Sequence, residues 1–255
     1  MNGESLEAVG SFFNDFGGRL AMAAGSCEVH GAASVLVRTG AAWHCPRCLE
    51  AEMAADTEAM VLAESRAWRM KVAMIPSKYV GAMFPAATPA QKGVRSTVAS
   101  FRDFILRERQ WATLIMTGET GTGKTLLACE FAQALVSKTP LTVRYITAAG
   151  MISEIQATYG SRDGKSSETE IMRFAQYDVL ILDEIDAYRA TVDADMLLTE
   201  IINRRYNEGK PIVAISNQAL DGLKQFVGAR VHSRLYENSF PCAFTWGDFR
   251  RAGAA

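Results

Sequence analysis

Four short apolar runs, at residues 111–117, 141–146, 179–182 and 211–215, recur along the second half of the chain and read as buried strands. Between them the apolar positions fall at helical spacing, as in residues 126–135 and 149–158. Such alternation of strand and helix predicts an α/β fold, a parallel sheet with helices on both faces, whose ligands collect at the carboxyl ends of the strands. Three of the runs end in polar clusters: Gly118 to Thr125, Asp183-Glu184 and Ser216-Asn217.

The first half is patterned differently. Residues 1–26 place Leu6, Val9, Phe12, Phe13, Phe16 and Leu20 at helical spacing, with Gly17-Gly18 as a break. That apolar face either packs within a small N-terminal domain or docks a partner protein. Residues 49–74 lack Pro and Gly and are rich in Ala, Glu and Met, which predicts a long helix stopped by Ile75-Pro76. The boundary is therefore placed there, giving an N-terminal domain over 1–75 and a second domain over 76–255. Residues 79–88, with Phe84 and Pro85, read as a linker whose aromatics shield the core or touch a nucleotide base, and residues 90–109 as a helix. The polar stretch 159–167 reads as a surface loop.

Chemistry enters at the strand ends. Gly118-Glu119-Thr120-Gly121-Thr122-Gly123-Lys124-Thr125, followed by Leu126, matches G-x-x-x-x-G-K-[ST] without departure, in the strand-loop-helix setting the motif requires. Glycines let backbone N–H groups turn around anionic oxygens, and the following helix adds free donors and the positive end of its dipole. Lys124 is placed to reach the β- and γ-phosphates of ATP, and the Thr125 hydroxyl to hold Mg²⁺. The run 179–182 with Asp183-Glu184 reads as a Walker B motif: Asp183 orients the Mg²⁺ shell and Glu184 polarises the attacking water. Asn217 either holds that water and senses the γ-phosphate or is a turn residue. Arg230 and Arg234 lie four apart on one helical face, as a solvated or salt-bridged pair or as guanidiniums that meet a neighbour's γ-phosphate.

Upstream, Cys27-Glu28-Val29-His30 and Cys45-Pro46-Arg47-Cys48 form two chelating pairs separated by fourteen residues, read as a short loop. Thiolates and imidazole suit a structural Zn²⁺ site, with Cys27, His30, Cys45 and Cys48 as ligands and His44 as a competitor for His30. Metal binding then supplies much of the folding energy of so small a domain.

Composition alters the picture little. A net charge of −1 gives no global pull toward nucleic acid or membrane, so any DNA contact is local. The sequence has no apolar run of about eighteen residues and no basic leader, and five cysteines, an odd number, do not look like a secreted disulfide framework. The expected location is the cytoplasm.

Taken together these residues resemble the AAA+ ATPases, and among them the replicative helicase loaders of the DnaC type, over most of residues 75–255. The more specific features are Arg230-x-x-x-Arg234-Leu235 and the ending Asn238-Ser239 with Phe244-x-Trp246. The resemblance implies an AAA+ core with a last strand and no C-terminal helical lid, Arg234 as arginine finger and Arg230 in support. It also implies Mg-dependent ATP hydrolysis that is weak in the monomer, self-association through the ATPase domain, and an N-terminal domain that grips a hexameric replicative helicase. Single-stranded DNA is then expected to pass the loop near Tyr159, with Arg162 and Lys165 as phosphate contacts or the segment as a bare loop. Two alternatives keep the fold: a transposition helper that binds duplex DNA and a transposase, and a nucleotide-bound adaptor with incidental hydrolysis.

Overall fold

The computed structural model describes residues 20–38, 42–160, 166–219 and 222–249. The chain divides into two units, Met1–Ser65 and Arg66–Ala255. In the first, strands β1 (Leu20–Cys27) and β2 (Gly31–Arg38) form an antiparallel hairpin, in register from Leu20 opposite Arg38 to Cys27 opposite Gly31. This corrects two expectations. Residues 20–26 are strand rather than the end of a helical run, and the segment between the chelating pairs carries a strand instead of being only a loop. Pairing across a tight turn overrides the local helical preference of the Ala-rich stretch. The remaining positions of the expected apolar N-terminal face, residues 1–19, lie outside the described residues.

Helix α1 (Pro46–Val72) opens on proline, whose missing N–H costs nothing at a helix start, and carries Arg69 and Lys71 in its last turn. It buries none of its residues, and Met53, Met60, Leu62 and Trp68 stand exposed.

In the second unit, helix α2 (Pro89–Glu108) starts in a capping box between Thr88 and Gln91 and stops at Arg109 in the left-handed conformation. Five parallel strands follow: β3 (Thr113–Gly118), β4 (Val143–Thr147), β5 (Val179–Asp183), β6 (Ile212–Ser216) and β7 (Ser239–Phe244), ordered β4-β5-β6-β3-β7. Helices α3 (Lys124–Lys138), α4 (Ala148–Gln156), α5 (Ser167–Gln176), α6 (Val192–Asn207) and α7 (Leu223–Tyr236) connect them. Strand alternation sorts the core into two faces. Leu114, Met116, Ile181, Val213 and Ile215 join Val98 and Phe101 of α2 and Leu127 and Phe131 of α3. Ile115, Leu180, Leu182 and Ala214 join Met151, Phe174, Ile201 and Val231 from α4 to α7. This is the parallel sheet with helices on both faces that the alternation predicts.

Arg205 on α6 is fully buried and donates to the carbonyls of Phe174, Ala175, Tyr177, Asp178 and Pro211. It ties the end of α5 to the starts of β5 and β6. Burial pulls its guanidinium down to about 9, so it stays charged at neutral pH. Among the described residues no helix is long and apolar enough to cross a membrane.

Candidate nucleotide and metal sites

The P-loop leaves β3 at Gly118 and enters α3 at Lys124. Gly118 and Gly123 have φ of 142° and 92°, which side chains other than glycine adopt only with strain. At Gly118 a Cβ would also lie 2.4 Å from the Phe244 carbonyl oxygen of the neighbouring strand. Lys124 is buried, and its ammonium donates to the carbonyls of Gly118 and Glu119, each at 2.7 Å. Thr122 closes the turn through a 2.8 Å bond to the Glu119 carbonyl.

A cleft of about 230 Å³ opens above this loop at the carboxyl ends of the strands. It gathers Thr120, Gly121, Gly123, Lys124, Thr125 and Leu126 with Asp183, Glu184 and Asn217, so the three polar clusters of the sequence meet in one place. Another hollow, of about 180 Å³ beside Arg109, Asp178 and Lys210, lies at the opposite strand ends and gathers none of these motifs. Thr125 Oγ1 donates to Asp183 Oδ2 at 2.8 Å, so two oxygen donors of the kind Mg²⁺ takes already share a site. Glu184 is exposed beside them at φ 51°, a conformation that costs a residue other than glycine about 1–3 kcal/mol. Its N–H donates to Asp183 Oδ1 at 2.9 Å, and the next residue, Ile185, donates to the Ile215 carbonyl of β6. Those two bonds hold the turn.

Three neighbours of the cleft, Tyr145, Asp186 and Phe249, escaped the sequence reading. The Tyr145 phenol, from β4, donates to Asp183 Oδ2 at 2.7 Å, and burial followed by the Asp183 charge raises its pKa far above the ordinary tyrosine value. Asp186 accepts from the Asn217 N–H at 3.3–3.4 Å. Tyr79 and Phe249 line the cleft from the linker and from the segment after β7. Tyr145 carries a faint signal, one strand position aligned with the Walker B strand, while Phe249 is more than a hundred residues from the loop it touches and carries none.

The arginines do not join the cleft. Arg230 is exposed on a groove between α5 and α6. Arg234 is half-buried, its guanidinium 5.1 Å from the Tyr206 ring, with one terminal nitrogen buried and without a hydrogen-bond partner among the described residues. Tyr159 is half exposed, and its phenol donates to Asp193 at 3.0–3.1 Å. Arg162 and Lys165 lie outside the described residues.

In the first unit the hairpin turn and the start of α1 bring Cys27, His30, Cys45 and Cys48 together, all ligand atoms within 4.8 Å of one another. A tetrahedral zinc centre sets sulfur–sulfur edges at about 3.8 Å and sulfur–nitrogen edges at about 3.5 Å. Cys27 Sγ lies 3.7 Å from Cys48 Sγ, while His30 Nδ1 lies 3.9, 3.5 and 3.3 Å from Cys27, Cys45 and Cys48. The four residues fit one zinc ion, and the exposed His44 is not among them. The backbone N–H groups of His30 and Val29 bring the Cys27 thiol down to about 6, whereas its bond to Cys27 pushes Cys48 up to about 11. Trp43 braces the cluster: its indole donates to the Ala33 carbonyl, and its ring lies where a Cβ on Gly25 would sit, 2.4 Å away.

Comparison with known proteins places this geometry. The chain is 30% identical over 135 residues to the uncharacterized protein YdaV of Escherichia coli strain K12, spanning about half of that relative's length. It is 24% identical over 197 residues to the replicative helicase loader DnaC of Buchnera aphidicola subsp. Baizongia pistaciae, covering 75% of this chain and 80% of that one. The crystal structure of the DnaC helicase loader superimposes with a TM-score of 0.56 at 21% identity, covering 66% of this chain and 99% of that one, so the fold is the AAA+ P-loop fold. The family of IstB-like ATP binding proteins matches residues 52–233, most of the chain and every residue lining the cleft except Phe249, and the chain belongs to that family.

Proposed function

We propose that this protein is an ATP-dependent loader that places a hexameric replicative helicase on single-stranded DNA. The observation that supports it most is the cleft itself, where P-loop, Walker B acids and Asn217 converge on a scaffold similar to a helicase loader along most of that loader's length. Lys124 binds the β- and γ-phosphates, Thr125 and Asp183 hold Mg²⁺, Glu184 polarises water and Asn217 positions it. Arg234, supported by Arg230, acts in a neighbour's cleft; the absence of both from the lining of their own cleft supports that reading. Residues 1–75, held by zinc, dock the helicase, and residues 76–255 form the ATPase. Tyr159 stacks a DNA base.

The full chain should co-elute with the hexameric helicase, increase its retention on single-stranded DNA in the presence of ATP, and lose that effect on Lys124→Ala. ATPase per molecule should rise with protein concentration, and Arg234→Ala should flatten that rise. A concentration-independent rate untouched by Arg234→Ala would remove the shared-site reading. Failure to bind helicase, joined to a preference for duplex DNA, would favour the transposition helper instead.

A further inference from the structure

The metal end of the cleft is held by a side chain that does not line it. Thr147 of β4 stands opposite Asp183 of β5 in the parallel register, yet its hydroxyl accepts from the Gly150 N–H and caps α4. Tyr145, two positions earlier and opposite Ile181, makes the contact instead. Two strand positions span ~6.6 Å, about the reach of a tyrosine leaning along its strand. Its phenol donates to Asp183 Oδ2 at 2.7 Å. That oxygen also takes the Thr125 hydroxyl at 2.8 Å, and Oδ1 takes the Glu184 N–H. Tyr145 is in turn held from behind. Strand β4 is at the edge of the sheet, and the Tyr145 N–H donates at 2.9 Å to the carbonyl of Ala73, the residue that follows α1. Ala73 is fully buried in the core cluster against which Met70, Ile75 and Tyr145 pack. Within the second unit, contacts therefore run unbroken from the end of α1 through Tyr145 to the carboxylate beside the P-loop threonine.

We propose that Tyr145 is a positioning residue for Mg²⁺ in this cleft, fixing the Asp183 carboxylate from outside the lining. The proposal rests on the nucleotide-site reading above and adds a residue that no motif contains. Tyr145 is not among the lining residues, so its effect on the ligand passes through Asp183. A carboxylate turns about its side-chain torsions unless its oxygens are engaged, and a partner that fixes its orientation sets how well it serves a metal shell. Thr125 is itself read as a metal ligand. The phenol, by contrast, has its ring against the core and its backbone on Ala73, so it is the partner that holds Asp183 whether or not the metal is bound. Tyr145→Phe keeps the ring and the backbone bond and removes the hydroxyl alone.

The test is equilibrium binding of ATP to the full chain, once with Mg²⁺ and once in EDTA, the ratio of the two affinities giving the gain from the metal. Tyr145→Phe should cut that gain about tenfold and leave the affinity in EDTA unchanged. In an Asp183→Asn background, which should have lost most of the gain already, Tyr145→Phe should change nothing further, because the hydroxyl acts through the carboxylate. A hydroxyl that serves only stability would lower the urea midpoint and leave the metal gain at the wild-type level. That result, an equal loss with and without Mg²⁺, or the same further loss in the Asp183→Asn background, overturns the positioning role while leaving the phosphate site standing. Wild type that binds ATP in EDTA and gains nothing from Mg²⁺ overturns the metal reading with it, and wild type that binds no ATP in either buffer overturns the nucleotide site as well.

Discussion

Asp183 has an unusual density of partners for a carboxylate that is 4% exposed: the Thr125 hydroxyl and the Tyr145 phenol on one oxygen, the Glu184 N–H on the other. Together the three donors fix both oxygens of the carboxylate beside the Thr125 hydroxyl, the second oxygen donor a Mg²⁺ shell would take. Glu184, exposed one residue later, is free to serve a different step. Glu184→Gln should keep ATP affinity and lower turnover by about a hundredfold or more, read by steady-state hydrolysis beside equilibrium binding. Full turnover in that variant would remove Glu184 from the chemistry. Arg205 works for stability instead. Arg205→Met strips five carbonyls, three of them in fully buried bonds, of their donor and should cost about 3–5 kcal/mol, seen as a lower urea midpoint with an unchanged slope.

Single elements owe their ends to single side chains. Thr88 and Gln91 satisfy each other's backbone donors at the start of α2, the helix that puts Val94, Val98 and Phe101 into the core. Thr88→Ala should cost about 1 kcal/mol, measured by thermal or urea unfolding, with little effect on nucleotide affinity. The β1–β2 hairpin depends on a missing side chain: Gly25 leaves room for the Trp43 ring, 2.4 Å from where its Cβ would stand. Gly25→Val should displace Trp43 and lower zinc retention, read by metal content after dialysis against a weak chelator. Retention at the wild-type level would show that the four ligands need no brace.

At the scale of the whole molecule the five cysteines divide into two sets. Cys27, Cys45 and Cys48 belong to the metal cluster, while burial pushes Cys129 and Cys242 up to about 12. With zinc bound, a thiol reagent at neutral pH should modify no cysteine quickly. A chelator should release three reactive thiols, Cys27 first because its thiol is brought down to about 6, and denaturant should then release two more. Five fast thiols on chelation alone would mean that the ATPase unit unfolds with the metal site.

How much of this was legible in the sequence follows from the range of each interaction. The P-loop, the Walker B strand, the chelating pairs and the alternation that gives a parallel sheet are all written over a few neighbouring residues, because backbone geometry and strand or helix periodicity act locally. The hairpin was missed for the opposite reason: Leu20–Cys27 becomes a strand through pairing with Gly31–Arg38, a partner that Ala-rich local propensity does not announce. The sequence by itself determined the P-loop and Walker B motifs that meet at the cleft and the three cysteines of the chelating pairs, while the structure gathered His30, not His44, with them. Only the tertiary structure decided what else faces that cleft. Placing β6 on one side of β3 and β7 on the other brings acids to one wall and the Phe249 ring to the other, across chain separations that no motif spans.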